Sequence, residues 1–365
     1  MHEVRAALLA GGLGERMGRL TDRTCKPLVP YAASCRLVDF SVANAVRSGI
    51  PELVLMSLHR ERDLIDHLLR HWDGAGIRVH FGPHDDLVRG GESIGDLPER
   101  PPERGTADAL LANAEYLFAP GARDLLVQHA DHVYSYDYGA MLAAHRDSGA
   151  DATIGVQRIE RRYVRLFGMV EVDDELVVRR LVEKPDEPTS DLVFTAFCLF
   201  RIDALTEVLG ELSALGEDGW QHDISRDVLP AMIASGRRVL AHPVPGYWAD
   251  IGTVERYHAE QLKLLDHPHP LPLRSLPRTL TGVPPVYSPT EDSLLSTAVP
   301  RGTEVRSSVL YAGCTIEPGA LVHRSIVLPG AVIAAGVEAR DTVVTAGERL
   351  TESRSGVAEL EPSHR

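Results

Sequence analysis

The sequence predicts an α/β protein in two parts: a mixed, mostly parallel sheet carrying helices, followed by a short left-handed parallel β-helix. Three observations lead there. Short apolar runs alternate with amphipathic stretches through residues 4–245, the pattern of buried parallel strands joined by helices. The first of these runs passes directly into Gly11, Gly12 and Gly14. From 305 to 344 apolar residues return about every six positions, at Val309, Cys314, Ala320, Ile326, Ala331, Val337 and Val343, which is a solenoid spacing. An antiparallel meander is the alternative reading of that last segment.

Taken in order, residues 4–10 read as a buried strand. Residues 38–49 have helical spacing and end on Gly49, a natural residue just past a helix. Residues 53–57 are strand-like, and 61–72 form a helix with Leu64, Ile65, Leu68 and Leu69 on one face. A further strand covers 77–82, then a helix over 106–118 with Thr106 as its N-cap. Residues 124–134 make a strand that ends among carboxylate and polar side chains. Four strand-like runs between 151 and 200 have no clear helix between them, which predicts an antiparallel insertion or edge. Helical patterns return at 222–236 and 253–265. Seven prolines between 267 and 290 make 267–301 an extended linker. The expected organisation is a first domain over 1–266, that linker, a solenoid of about three coils over 302–345, and a disordered tail over 346–365.

Composition removes several function classes. A length of 365 residues suits two domains. The 38 Lys and Arg against 52 Asp and Glu give a net charge of −14, the wrong sign for a general nucleic-acid binder. No apolar run approaches the ~20 residues needed to cross a membrane. The run Ala6 to Ala10 is too short for a secretion signal. Cys25, Cys35, Cys198 and Cys314 form no CxxC pair, so no disulfide framework or structural zinc is expected and a cytoplasmic setting is.

The segment LLAGGLGERMGRLTDRTCKPLVP (8–30) carries the chemistry of a phosphate site. Glycines let a backbone approach an anion and cradle it with N–H groups, while Arg16 and Lys26 add positive charge. Gly12, Gly14 and Gly18 lack the spacing of a dinucleotide fingerprint. His129 and His132 flank Asp131 without the spacing of a zinc site. Read singly, Asp131 is a turn or cap residue, Lys184 a solvated turn residue and Gly168 a bulge.

Taken with Arg36 to Phe40, this segment resembles the bacterial ADP-glucose pyrophosphorylase (glucose-1-phosphate adenylyltransferase) family. RGTADAL (104–110), ADHVYSYDY (130–138), FGMVEV (167–172), VEKP (182–185) and YWADIGTVERY (247–257) follow in the family's order, so the resemblance spans roughly 5–345. It implies a Rossmann-like nucleotidyltransferase domain that joins a nucleoside triphosphate (ATP or GTP) to a sugar-like 1-phosphate and releases pyrophosphate. Mg²⁺ is the implied cofactor and a homodimer or homotetramer the implied assembly. By the same resemblance Leu9, Ala10, Gly11, Gly12 and Gly14 hold the nucleotide, with Gly105, Thr106 and Asp108 near its base and ribose. Arg16 and Lys26 serve the reacting phosphates, and Asp131 and Asp250 carry the metal and the catalysis with them. Gly168, Glu183, Lys184, Phe194, Thr195 and Trp248 belong to the sugar-phosphate side, with Lys184 on the phosphate, Glu183 on a hydroxyl and Trp248 equally readable as core. The chemistry is consistent: attack of one phosphate on another is served mainly by positioning and charge neutralisation.

Departures from the family gather at the sugar and base pockets. Ala130 replaces a usual glycine, and Phe194, Thr195 and Ala196 replace a Ser-Met-Gly run. Glu103 stands where a tyrosine is usual and Leu69 where glutamine is frequent. One reading is drift with glucose retained. The other is a changed acceptor with a more apolar ring face, which C7-cyclitol (valienol-type) phosphates would satisfy, since a lost hydroxyl contact changes discrimination strongly. Arg23 and Arg36 keep positive charge near positions tied to effectors in the family, while Pro30 replaces a polar residue, and weak or absent sugar-phosphate activation is expected. Two other classes fit the sequence less well. A catalytically silent regulatory subunit has no reason to keep both Asp131 and Asp250. A solenoid acyltransferase would need more coils and a catalytic histidine there.

Overall fold

The computed structural model describes residues 3–57 and 59–357. The chain divides into two compact units. The first comprises residues up to 11, 44–129 and 136–245; the second comprises 12–43, 130–135 and the chain from 246 on.

The first unit is built on a nine-stranded mixed sheet. Val4–Leu9 runs parallel to Asp124–His129 on one side and to Glu52–Met56 on the other, with Arg78–His80 beyond. The central strands are almost wholly buried, which is why they read as continuous apolar runs. Their C-terminal ends share one edge of the sheet, the edge at which such sheets bind ligands. The expected antiparallel region is present. Leu192–Arg201 runs antiparallel to Asp124–His129, Ala152–Arg158 and Gly168–Val172, and Val178–Glu183 closes the edge. Ala152–Arg158 also takes Val239–Pro243 as a parallel neighbour, so the region is continuous with the main sheet. A short helix, Arg161–Val164, interrupts it. Leu125, Val127, Ile154, Phe200, Leu205 and Leu229 are among the core residues.

Three local expectations change. The helix over 106–118 is two helices, Thr106–Ala112 and Ala114–Leu117. Asn113 breaks it: its buried side chain donates to the Ala109 carbonyl and accepts from Arg100, competing with the helix backbone. The N-cap is Gly105 and not Thr106. The Thr106 hydroxyl instead donates to Asp223 and accepts from the Ile224 amide. A Cβ at Gly105 would stand 2.3 Å from the His222 carbonyl oxygen, so glycine alone lets the helix begin there. The helix over 222–236 opens as a π-helical turn, Ile224–Val228, capped by Asp223, before Leu229–Ala234.

In the second unit the glycine loop continues into 3₁₀ turns, Glu15–Leu20 and Lys26–Leu28. His132–Tyr134 pairs antiparallel with Trp248–Asp250, and the helix Val254–Lys263 follows. Met17, Tyr31, Phe40, Tyr257, Leu276 and Val309 belong to one core. The proline-rich segment is packed: Leu271 and Leu276 are buried, and the Ser34 hydroxyl donates to the Pro277 carbonyl. Val286–Ser288 and Ser293–Leu295 already start the first solenoid sheet. Three sheets of short strands, parallel after that first hairpin, make a β-helix that continues to Ser355. Residues 346–357, expected within a disordered tail, form its last turns; residues 358–365 lie outside the described residues.

Candidate active site

Asp131, His132 and Asp250 meet in the second unit because the short ladder sets Asp250 opposite His132. Lys26 joins them. Its ammonium lies 2.6 Å from Asp131 Oδ2 and 3.9 Å from Asp250 Oδ1, with its side chain 10 % exposed. Gly14 adopts φ +72°, and a Cβ there would come within 3.0 Å of Lys26 Cβ. The loop glycine thus serves both the turn and the seating of Lys26. Arg16 shares the neighbourhood: a Cβ at Gly252 would stand 3.6 Å from its Nη2 and 3.7 Å from Asp250 Oδ2.

One ligand atom each from Asp131, His132 and Asp250 lies within 4.8 Å of the others, close enough for one metal ion. Trp248 decides what His132 offers. The indole N–H donates to His132 Nδ1 at 3.2 Å. A neutral imidazole accepting at Nδ1 carries its proton on Nε2, the nitrogen 3.7 Å from Asp131 Oδ1 and 3.8 Å from Asp250 Oδ1. The available donors are then two carboxylates, a set that fits a hard, oxygen-seeking divalent cation such as Mg²⁺. Trp248 itself is buried, with its ring edge-on to His132. Spacing does not encode this pairing, because the two residues are 116 positions apart.

The remaining sequence-predicted residues lie in the first unit, apart from Gly12. Leu9 ends the central strand and Ala10 continues its ladder, donating to the Met56 carbonyl. Gly11 and Gly12 are exposed, and a Cβ at either would meet nothing within 4 Å. Asp108 accepts from the Arg104 amide at 2.9 Å, and Thr106 is engaged by Asp223 and Ile224. Gly168 faces Glu183 across the ladder, and a Cβ there would lie 3.1 Å from Glu183 Oε2 and 3.5 Å from Phe194 Cβ. Lys184 follows in a left-handed conformation (φ +50°), with its ammonium 3.4 Å from Glu183. Phe194 and Thr195 are buried, at the start of a register shift between Phe194 and Cys198 that places Ala196 at φ +59°. In the second unit Arg23 and Arg36 line one cavity of about 450 Å³ together with Glu348.

One polar cluster was not foreseen. Arg100, with its side chain 6 % exposed, donates to the Ser57 carbonyl, Glu61, Glu103 and Asn113. Ser57 in turn donates to the Ala10 carbonyl. Burial pushes the Glu61 and Glu103 carboxyls up, with Arg100 pulling both down, and burial holds His84, 3.2 Å from Glu61, below the usual imidazole range. Only Glu103 stood out in the sequence, as an unusual residue two positions before Gly105.

Comparison with known proteins gives the family. Residues 5–267 match the family model described as nucleotidyl transferase, and 287–356 match one described as GlmU-like, C-terminal hexapeptide. The chain is 49% identical over 332 residues to valienol-1-phosphate guanylyltransferase of Streptomyces hygroscopicus subsp. limoneus, covering 87% of this chain and 88% of that protein. It is 32% identical over 348 residues to glucose-1-phosphate adenylyltransferase 1 of Alkalilimnicola ehrlichii (88% and 80% covered). It is 31% identical over 337 residues to glucose-1-phosphate adenylyltransferase of Bacillus mycoides (88% and 86%). With residues 5–267 matched to one family model and a relative 49% identical over most of both chains, the chain is an enzyme and belongs to the nucleotidyl transferase family.

Proposed function

We propose that this enzyme transfers a guanylyl group from GTP to a sugar-like cyclitol 1-phosphate of the valienol type, with Mg²⁺, releasing pyrophosphate. The observation that carries the transfer chemistry is the meeting of Lys26 with Asp131 and Asp250. The choice of base and acceptor is supported by the relative at 49% identity, whose name gives valienol 1-phosphate and guanylyl transfer.

A phosphate oxygen of the acceptor attacks the α-phosphorus of the triphosphate, and the bond to pyrophosphate breaks. Both partners are anions, so the work is alignment and charge neutralisation. Gly11, Gly12 and Gly14 offer backbone N–H groups to the triphosphate, and Arg16 and Lys26 offset charge as the leaving group forms. Asp131 and Asp250 hold the cation, which when bound supplies Lewis-acid stabilisation of the phosphate oxygens. Lys184 pairs with the acceptor phosphate and Glu183 accepts from a ring hydroxyl. Phe194 gives that pocket an apolar wall suited to a cyclitol carrying a ring C=C. The reading includes a homodimer or homotetramer in the cytoplasm, with the solenoid in the contacts between copies.

The test is pyrophosphate release with Mg²⁺ over a grid of ATP, GTP, UTP, CTP and dTTP against glucose 1-phosphate and valienol 1-phosphate. Turnover concentrated on GTP with the cyclitol phosphate is the expected result. Turnover concentrated on ATP with glucose 1-phosphate would overturn the acceptor and the base and make the enzyme an ADP-glucose synthase.

A further inference from the structure

Among the described residues, Glu103 has one hydrogen-bond partner, Arg100, at 3.4 Å, although its side chain is only 10 % exposed. A buried carboxylate can accept about four hydrogen bonds and is costly when underused. Arg100 explains why the residue is seated there. It anchors Glu103 from one side and is itself fixed by Glu61, Asn113 and the Ser57 carbonyl. One guanidinium faces two carboxylates, with His84 held toward its neutral form by burial. The unfilled acceptor capacity of Glu103 favours a ligand that presents hydrogen-bond donors.

Its place in the fold says which ligand. Ser57 follows the strand Glu52–Met56 and donates to the carbonyl of Ala10, which extends the central strand beside it. Glu103 is two residues ahead of Gly105, which starts the helix Thr106–Ala112. The cluster thus stands at the C-terminal edge of the parallel strands, the nucleotide side of such a sheet. Purines differ there in sign. Guanine presents two donors side by side, N1–H and the N2 amino group, whereas adenine presents an N1 lone pair that a carboxylate repels.

We propose that Glu103 reads the base, its carboxylate accepting from guanine N1–H and N2–H while Arg100 holds it in place. This rests on the nucleotidyl-transfer reading above and deepens it by assigning the residue that selects the nucleotide.

The test is equilibrium titration of the whole chain with Mg²⁺ and no acceptor, using GTP, ITP, N1-methyl-GTP and ATP. ITP lacks the N2 amino group and N1-methyl-GTP lacks the N1 proton. Each is expected to bind at least about tenfold more weakly than GTP, since a hydrogen bond to a charged group is among the stronger kind. Glu103→Gln, with its fold checked by melting, is expected to narrow the GTP-to-ATP ratio at least tenfold, mainly by weakening GTP. N1-methyl-GTP binding as tightly as GTP overturns the proposal, and so does a GTP-to-ATP ratio unchanged in the variant. The nucleotide analogues need no variant and decide the matter even if Glu103→Gln does not fold. If wild type binds ATP and GTP alike, guanine selection by Glu103 falls while pyrophosphate release still judges the transfer reading. If no triphosphate releases pyrophosphate, the transfer reading falls and the binding order still judges Glu103.

Discussion

Lys26 sets one positive charge against two carboxylates, so the Lys26–Asp131–Asp250 group is net negative and gains from a divalent cation. Asp131→Asn or Asp250→Asn is expected to lower turnover by at least about a hundredfold while the fold is retained. Initial-rate pyrophosphate assays beside a melting curve check both, and near-normal turnover in either variant removes that carboxylate from the centre. Trp248 is tested differently. Trp248→Phe keeps an aromatic ring but leaves His132 Nδ1 without its indole donor, a loss of about 1–2 kcal/mol. Urea denaturation of the variant measures it, and an unchanged midpoint would mean the bond contributes nothing. The meeting of Asp131, Asp250 and Lys26 was legible only through the order of family motifs, since Asp131 read singly is a turn or cap residue. The Glu103 cluster was not: its anchor, Arg100, reaches Glu61 across 39 residues, a contact that spacing does not encode. Thr106 failed as a cap for the same reason, since its hydroxyl is claimed by Asp223 at 117 residues' distance.

At the scale of elements the solenoid was legible from one periodicity, but its detail was not. Val309, Ile326 and Val343 are neighbours in one sheet, so each coil advances 17 residues and not three full hexapeptides. The shortening falls on the side from 309 to 314 and again from 326 to 331, where the apolar spacing in the sequence is five. Inside the coils a ladder of buried hydroxyls runs beside the apolar core. The amide of Ser308 donates to the Ser293 hydroxyl, that of Ser325 to Ser308, and that of Thr342 to Ser325. Nothing in the sequence sets these small polar residues apart; their burial follows only from stacking. Ser325→Ala should remove the acceptor of the Thr342 amide and the donor to the His323 carbonyl, destabilising the protein by about 1–3 kcal/mol. A thermal melt reads this, and a variant as stable as wild type would show that water replaces the ladder. The unexpected break at Asn113 is the converse case, in which a tertiary partner, Arg100, overrides a good helical pattern.

For the whole molecule, buried titratable groups set how stability responds to acid. Burial holds His80, His84, His242 and His258 below the usual imidazole range. The unfolded chain therefore takes up protons first as pH falls through about 6.5, and stability declines from there. Burial acts in the opposite direction at Glu61 and Glu103, whose raised carboxyls take up protons more readily in the folded state and offset part of that loss. Asp124 and Glu348 restore the downward slope at lower pH. Burial alone would raise Asp124, but His145, 3.6 Å away, and the hydrogen bond from Arg146 hold its carboxyl below the usual range; Arg354 and Thr345 do the same for half-buried Glu348. A depressed carboxyl contributes fully above its unfolded value, about 4, and that contribution is lost as pH falls through the lower folded value. The urea midpoint should thus be highest near neutral pH, decline gently below about 6.5 and fall steeply below about 4. Asp124→Asn isolates one contribution. Removing one partner of a buried ion pair costs roughly 3–5 kcal/mol, so the variant should be far less stable than wild type at pH 7. The two should converge only at acid pH below the lowered folded value of Asp124, where the wild-type carboxyl is itself protonated. A constant difference between them at every pH would mean that packing, and not the charge on Asp124, accounts for its place at the start of the strand Asp124–His129.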